Sequence, residues 1–251
     1  MTIPRLLLLV LALFTTAAAK PEDLAEALTG LVFDANPDIN IPARIALSRW
    51  NASLRIFVFG HPDDQRAAAR TAAILARDAG LPIVVLAVRS LTEGNPNVFL
   101  VVDENIAGAF RGPLKPMLQN AFLDDMVAVE TYTEAVIAIR TCWTLPIWSA
   151  PDRLLLKAAI VGVDGRLPAA ARRHCVARAL TAALGLLGPG HDLPDSLFAD
   201  SSTAERPGAS DAVMLRLLYG PALKIGQTRQ QTHDAALVAL RTLATPKKRG
   251  K

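Results

Sequence analysis

The sequence predicts one mixed α+β domain, a sheet backed by two long helices. Three observations carry that prediction: short apolar segments of strand length, two Ala/Leu-rich stretches with helical stop signals, and the absence of any internal repeat or long low-complexity tract.

Residues 22–32 suit a short lead-in helix, and the Pro/Asn-rich stretch 36–42 suits a turn. Arg49 and Trp50 then introduce a first strand over 54–60, where Leu54, Ile56 and Val58 alternate with Arg55 and Phe57. Residues 62–79 carry Ala and Arg at helical density and stop at Gly80, a natural C-cap. Apolar runs at 81–88 and 98–102 predict two further strands, separated by the Asn-Pro-Asn turn at 95–97. Residues 106–133, broken by Gly112, Pro113 and Pro116, read as short helices and loops.

Two more strands are expected at 136–142 and 154–163, arranged as a hairpin across a turn from Pro146 to Pro151. After the Asp164-Gly165 turn, Pro168 opens a long helix to about Leu186, ended by Gly185, Gly188 and Gly190. A tight loop at 195–200 follows, then a helix through Leu218 capped by Ser210 or Asp211, then a terminal helix over 230–243.

The N-terminus places Arg5 before the apolar run Leu6–Phe14 and the small-residue stretch 15–19, which is the order of a secretory signal. Nine apolar residues fall short of the roughly 20 that a membrane-spanning helix needs. Ala17 and Ala19 satisfy the small-x-small rule, so cleavage is expected between Ala19 and Lys20. The expected organisation is a signal peptide over 1–19, one domain over 20–246 and a basic tail over 247–251, with a periplasmic or secreted destination. No later segment is apolar and long enough to remain as an integral membrane span.

The net charge of +4 includes Arg5 and the tail's Lys247, Lys248, Arg249 and Lys251; removing those five leaves −1 for residues 20–246. No stripe of basic and aromatic residues crosses that part, so nucleic acid is not an expected partner. The two cysteines, Cys142 and Cys175, read as a disulfide in an oxidising compartment; the alternative is two separate buried thiols.

The most informative block runs over residues 174–225. It contains a Cys-led helix ending Ala-Leu-Gly-Leu at 183–186, the loop Asp195-Ser196-Leu197-Phe198-Ala199-Asp200, and the helix end Leu218-Tyr219-Gly220-Pro221. Together with the Arg49-Trp50 pair, this order resembles an uncharacterised family of secreted bacterial proteins known only as a domain of unknown function. That family in turn resembles the zincin metallopeptidases. The resemblance implies a zincin-like mixed sheet with a helix after the first strand, a second long helix (about 168–186) in the active-helix position, and a helical C-terminal part.

The zincin catalytic helix reads H-E-x-x-H-x-x-G-x-x-H. With its glycine set on Gly185, the three histidine ligands fall on Arg178, Ala182 and Gly188, and the general-base glutamate falls on Ala179. Two imidazoles four residues apart share a helical face and hold Zn²⁺ at about 2 Å. The metal then lowers its water's pKa towards about 7. Alanine and glycine offer no lone pair, and a guanidinium repels the cation. The opposite face, Val176, Leu180, Leu184 and Leu187, remains apolar and able to pack on a sheet.

Residual candidates are His174 and His191, which with Asp192 or Asp195 would form a displaced metal site; Asp195 and Asp200 are also cleft candidates. Against that reading, no histidines stand at i, i+4 or in H-x-H spacing. Asp195, Ser196 and Asp200 could form a functional loop over the old cleft, but they better suit a loop whose side chains fix their own turn. Trp50, Trp143 and Trp148 suit either a glycan groove or core packing.

The expectation is a non-catalytic exported domain without a cofactor, binding an unknown protein or envelope polymer at the former substrate cleft or around 195–200. A metal-dependent hydrolase with non-standard ligands and a purely structural envelope protein are the alternatives.

Overall fold

The computed structural model describes residues 19–37, 41–86, 95–116, 141–149 and 152–244. The signal segment up to residue 18, the expected strand residues 136–140, most of the expected short helices over 106–133 and the basic tail lie outside the described residues.

The chain enters through helix α1 (Pro21–Phe33), then forms strand β1 (Leu54–Phe59), helix α2 (Pro62–Ala79) and strand β2 (Ile83–Val85). Strand β3 (Val98–Asp103) and the short helix α3 (Ile106–Arg111) follow. Strands β4 (Cys142–Trp148) and β5 (Leu156–Asp164) lead into helix α4 (Ala169–Ala182), and α5 (Ala209–Tyr219) and α6 (Arg229–Ala244) complete the described elements.

The five strands make one sheet in the order β2-β1-β3-β5-β4. β2, β1, β3 and β5 run parallel, and β4 pairs antiparallel with β5 at the edge. In the middle of such a sheet both faces are covered, so the strands are apolar throughout. Ile56, Val58, Leu100 and Val161 join the larger core under the long helices, while Phe57, Phe99, Val101 and Ile160 pack into a second cluster on the other face with Phe110 and Trp143. The alternation anticipated in β1 is present, but Phe57 is as buried as Ile56.

α2 shows why its sequence folds locally. His61 accepts the Asp63 N–H through Nδ1, Asp64 accepts the His61 N–H, and Gly80 closes the helix at φ +67°, a conformation that costs glycine nothing. α1 and α6 pack on each other, and α2 packs on α4 and α5. The Asp64 carboxylate joins α2 to α4 by accepting from Arg172 Nε at 2.7 Å, a pair largely shielded from water.

The hairpin anticipated after residue 136 exists, but its first described strand is Cys142–Trp148, so Pro146 stands inside a strand rather than in a turn. The edge position explains this. Pro146 lies opposite Ala159, whose N–H is already used on the other side, bonding Asn97 O. Residues paired this way turn their backbone groups away from each other. Pro146 therefore faces the side on which no further strand pairs among the described residues, and it removes no rung from the ladder with β5.

Candidate functional site

α4 presents one face to the edge strand, and along it lie His174, Cys175, Arg178, Ala179 and Ala182, the spacing of residues stacked on one side of a helix. Two links fasten the helix to β4. Cys142 and Cys175 form a disulfide, with Cα atoms 5.5 Å apart, and the buried Thr144 hydroxyl donates to the Ala179 carbonyl at 2.9 Å. The opposite face is committed to the larger core through Val176, Leu180 and Leu184, whereas Leu187, expected on that face, is buried in the second cluster and lines the cavity described next.

Below the links the helix and strand separate around a cavity of about 210 Å³. Arg178, Ala179, Ala182 and Gly188 all line it, with Asn36 and Trp143 on its walls. Phe198 closes one side: the Arg178 guanidinium carbon sits 5.8 Å from the Phe198 ring centroid, a cation–π contact. The positions that the zincin resemblance assigns to metal ligands thus surround a single hollow.

Those residues do not fit a zinc ion. Arg178 brings a fixed positive charge, and Ala179 and Ala182 bring methyl groups. Gly188 has no room for a side chain at all, because a Cβ there would stand 2.2 Å from the Gly30 carbonyl oxygen. The approach is that close because the Leu187 and Gly188 N–H groups both bond Leu31 O of α1 at 2.7 Å.

The residual candidates do not assemble into a site. His174 borders the cavity and directs Nδ1 at the Ala204 carbonyl, 2.7 Å away. His191 lines a different hollow against α1, beside Asp23, Glu26 and Asp192. Its Nδ1 accepts the Leu193 N–H at 3.1 Å, which leaves the proton of the neutral ring on Nε2, where no partner is found among the described residues. Burial holds the His191 imidazole below its usual range. Asp195 adopts φ +53°, a backbone role that aspartate tolerates better than most residues. Among the described residues no three His, Cys, Asp or Glu side chains converge as metal ligands.

Ser196 has a structural partner: its hydroxyl donates to Asp211 Oδ1 at 2.7 Å and accepts the Phe198 N–H at 3.0 Å. Asp211 Oδ2 accepts the N–H groups of Leu197 and Gly208. The Asp-Ser-Leu-Phe loop is therefore pinned to the first turn of α5, and Phe198 is held where Arg178 stacks on it.

The remaining motifs meet at a second junction, where the chain leaves α4. Trp50 Nε1 donates to Ala183 O at 2.8 Å, the Tyr219 hydroxyl to Leu184 O at 2.7 Å, and Arg44 to Gly185 O at 3.0 Å. Arg49 donates to the Leu218 carbonyl and lies over the Tyr219 ring. The carbonyl ends of α4 and α5 thus converge on two guanidinium groups, which suits the negative ends of their dipoles. Burial draws the Arg44 guanidinium down to about 10 and pushes the Tyr219 hydroxyl up. Arg44 carried no signal in the sequence, since a cation held by carbonyl oxygens has no partner residue type to look for. Of the three tryptophans, Trp50 and Trp143 are core residues, and Trp148 is half-buried with Nε1 donating to Ser48.

A sequence model of the family described as a protein of unknown function, DUF2927, matches residues 36–237. The chain belongs to that family. The matched DUF2927 span takes in the whole sheet, α2 to α5, and both junctions, so the cavity lies inside the DUF2927 domain. Neither the comparison with curated proteins nor that with solved structures found a match. No helix among the described residues is long and apolar enough to cross a membrane.

Proposed function

We propose that this DUF2927 protein is an exported, non-catalytic domain with a zincin-like core that binds a protein or envelope polymer in the cavity between β4 and α4. The observation that carries the reading is the coincidence of the cavity with Arg178, Ala179 and Ala182, the positions at which the zincin resemblance expects ligands and base. A helix behind the sheet after β1 and a second one after β5 are the arrangement that resemblance implies. The signal-like N-terminus and the Cys142–Cys175 disulfide support a destination outside the cytoplasm.

The test is capture of partners from envelope extract by the mature chain, residues 20–251, compared with an Ala182→Trp variant that fills the cavity. A partner retained by the wild type and lost by the filled variant is the expected result. Stoichiometric zinc in tag-free protein, together with peptide cleavage that a chelator stops, would overturn the reading.

A further inference from the structure

We infer that the solvent-facing side of α2 is a docking surface for an anionic phospholipid bilayer. The inference goes beyond the cavity between β4 and α4 and does not depend on it.

The first argument lies in the helix itself. From Gln65 to Arg77, α2 holds Arg66, Arg70 and Arg77 and no acidic residue. At 3.6 residues per turn the three arginines fall within about 40° of arc. All three are exposed, while Ala68, Thr71, Ala72 and Leu75 on the other side are buried. The exposed Ala69 and Ala73 lie between them, so no bulky side chain keeps the guanidinium groups from a flat partner. The stripe runs about 16 Å at 1.5 Å per residue. A helix face that served only solvation would intersperse both signs of charge along it.

Neighbouring elements extend the charge. Arg173 of α4 binds Glu205 at 2.6 Å, and Arg216 of α5 joins Arg77 on the Asp78 carboxylate. Glu205 also feels Arg70, and Arg66 is paired with Asp63. Five arginines thus share three carboxylates, a local surplus of two positive charges on a domain whose residues 20–246 sum to −1. The Asp78 side chain is 1% exposed, whereas those of Arg77 and Arg216 are 69% and 63% exposed, so cations are what a partner meets first.

What the stripe lacks selects a membrane over an acidic protein. α2 contains no aromatic residue, and the arc between the arginines carries only alanine. Protein interfaces centre on aromatic or arginine anchors buried in pockets. A charged bilayer needs only cations in one plane, each strengthening the contact by a factor of about five. Arginine forks grip phosphate oxygens in pairs of hydrogen bonds and give up their water more readily than an ammonium does. Without an apolar wedge, such docking is peripheral and sensitive to salt.

The test is co-sedimentation of the mature chain, residues 20–251, with vesicles of phosphatidylcholine alone and of phosphatidylglycerol mixed equally with phosphatidylcholine. The salt is held at about 0.1 M, where charges more than about 10 Å from the lipid are screened. Retention by the anionic vesicles is expected to exceed that by the neutral ones at least about tenfold. Replacing the stripe (Arg66→Gln, Arg70→Gln, Arg77→Gln) is expected to weaken anionic retention about tenfold or more. Removing the same charge from exposed lysines outside α2 (Lys115→Gln, Lys157→Gln, Lys224→Gln) is expected to weaken it less than about threefold. Equal weakening by the two triple variants would mean that net charge or the basic tail draws the protein to lipid, and overturns the inference; so does equal retention of the wild type by neutral vesicles. A second measurement keeps all three arginines. A nitroxide on Ala73→Cys is expected to lose contact with a water-soluble nickel chelate when anionic vesicles are added. One on Lys115→Cys, beside Leu114 of the second cluster on the other side of the sheet, is expected to keep it. The reverse pattern overturns the assignment to α2. Poly-glutamate that strips the wild type from the vesicles at matched charge overturns the choice of lipid over an acidic protein.

Discussion

Ser196 and Asp211, fifteen residues apart, share a buried hydrogen bond of 2.7 Å that ties the loop before α5 to the first turn of that helix. Because the same carboxylate also holds two backbone N–H groups, its removal strands three donors in a region closed to water. Asp211→Ala is expected to cost about 3–5 kcal/mol and Ser196→Ala about 1.5–3 kcal/mol, read from urea unfolding midpoints. The smaller substitution leaves both backbone bonds to the carboxylate in place. Equal losses from the two would show that those backbone bonds contribute little.

The Cys142–Cys175 link closes 33 positions of chain, for which loop-closure entropy amounts to about 3–4 kcal/mol. A Cys142→Ser, Cys175→Ser double variant is expected to lose that much stability in urea, and reduced wild type to match it. Because the bridge joins the rim strand to α4 beside the cavity, partner capture by the double variant is expected to weaken as well. Unchanged binding would show that the Thr144–Ala179 bond holds the rim alone.

These two contacts differ in how far the sequence announced them. The cysteine pair was legible because the signal-like N-terminus predicts an oxidising compartment, which leaves few other fates for two cysteines. Asp211 was legible as a helix-start carboxylate, yet not as the clamp for residues 196 and 197, since that depends on a loop folding back through space. Periodicity placed β1, β3 and β5 well. It misplaced β4, because Pro146 punctuates a sequence as a turn would and only an edge position makes it harmless. The hollow at Arg178 to Ala182 could be located by resemblance, whereas Asn36 on its wall reads in sequence only as part of a turn. Arg44 was invisible, because its partners are carbonyl groups that every residue carries.

The junction of Arg44, Trp50 and Tyr219 gives a third expectation. Tyr219→Phe removes the donor to Leu184 O and is expected to cost about 1–2 kcal/mol. Arg44→Met should cost more, about 3 kcal/mol, since it strands the Gly185 carbonyl and leaves Ser48 without a donor it has in the wild type. Chemical denaturation of both variants checks the order. A reversal would mean that the desolvated cation is itself a burden on the fold.

A fourth expectation concerns pH. Burial lowers the His191 pKa, while Asp192 and Asp200 oppose that shift and Arg178 adds to it. The unfolded chain therefore binds a proton at His191 before the folded chain does. Stability is fully present above the ordinary histidine range and falls as pH drops from about 6.5 towards the depressed value. Thermal midpoints at pH 7 and pH 5 are expected to differ less in His191→Asn than in wild type, the asparagine oxygen still being able to accept from Leu193 N–H. An identical pH slope in the two proteins would remove His191 as its source.

Pro146 has one more consequence, for how the margin of the sheet meets other chains. By the alternation that turns Pro146 outward, Cys142 and Thr144 also direct their backbone groups outward. Those two residues can both donate to and accept from an arriving strand, whereas Pro146 can only accept, so the outward donors of this stretch lie at the end beside the hollow. For copies of the protein, the missing donor interrupts the continuous seam on which fibrils zip together.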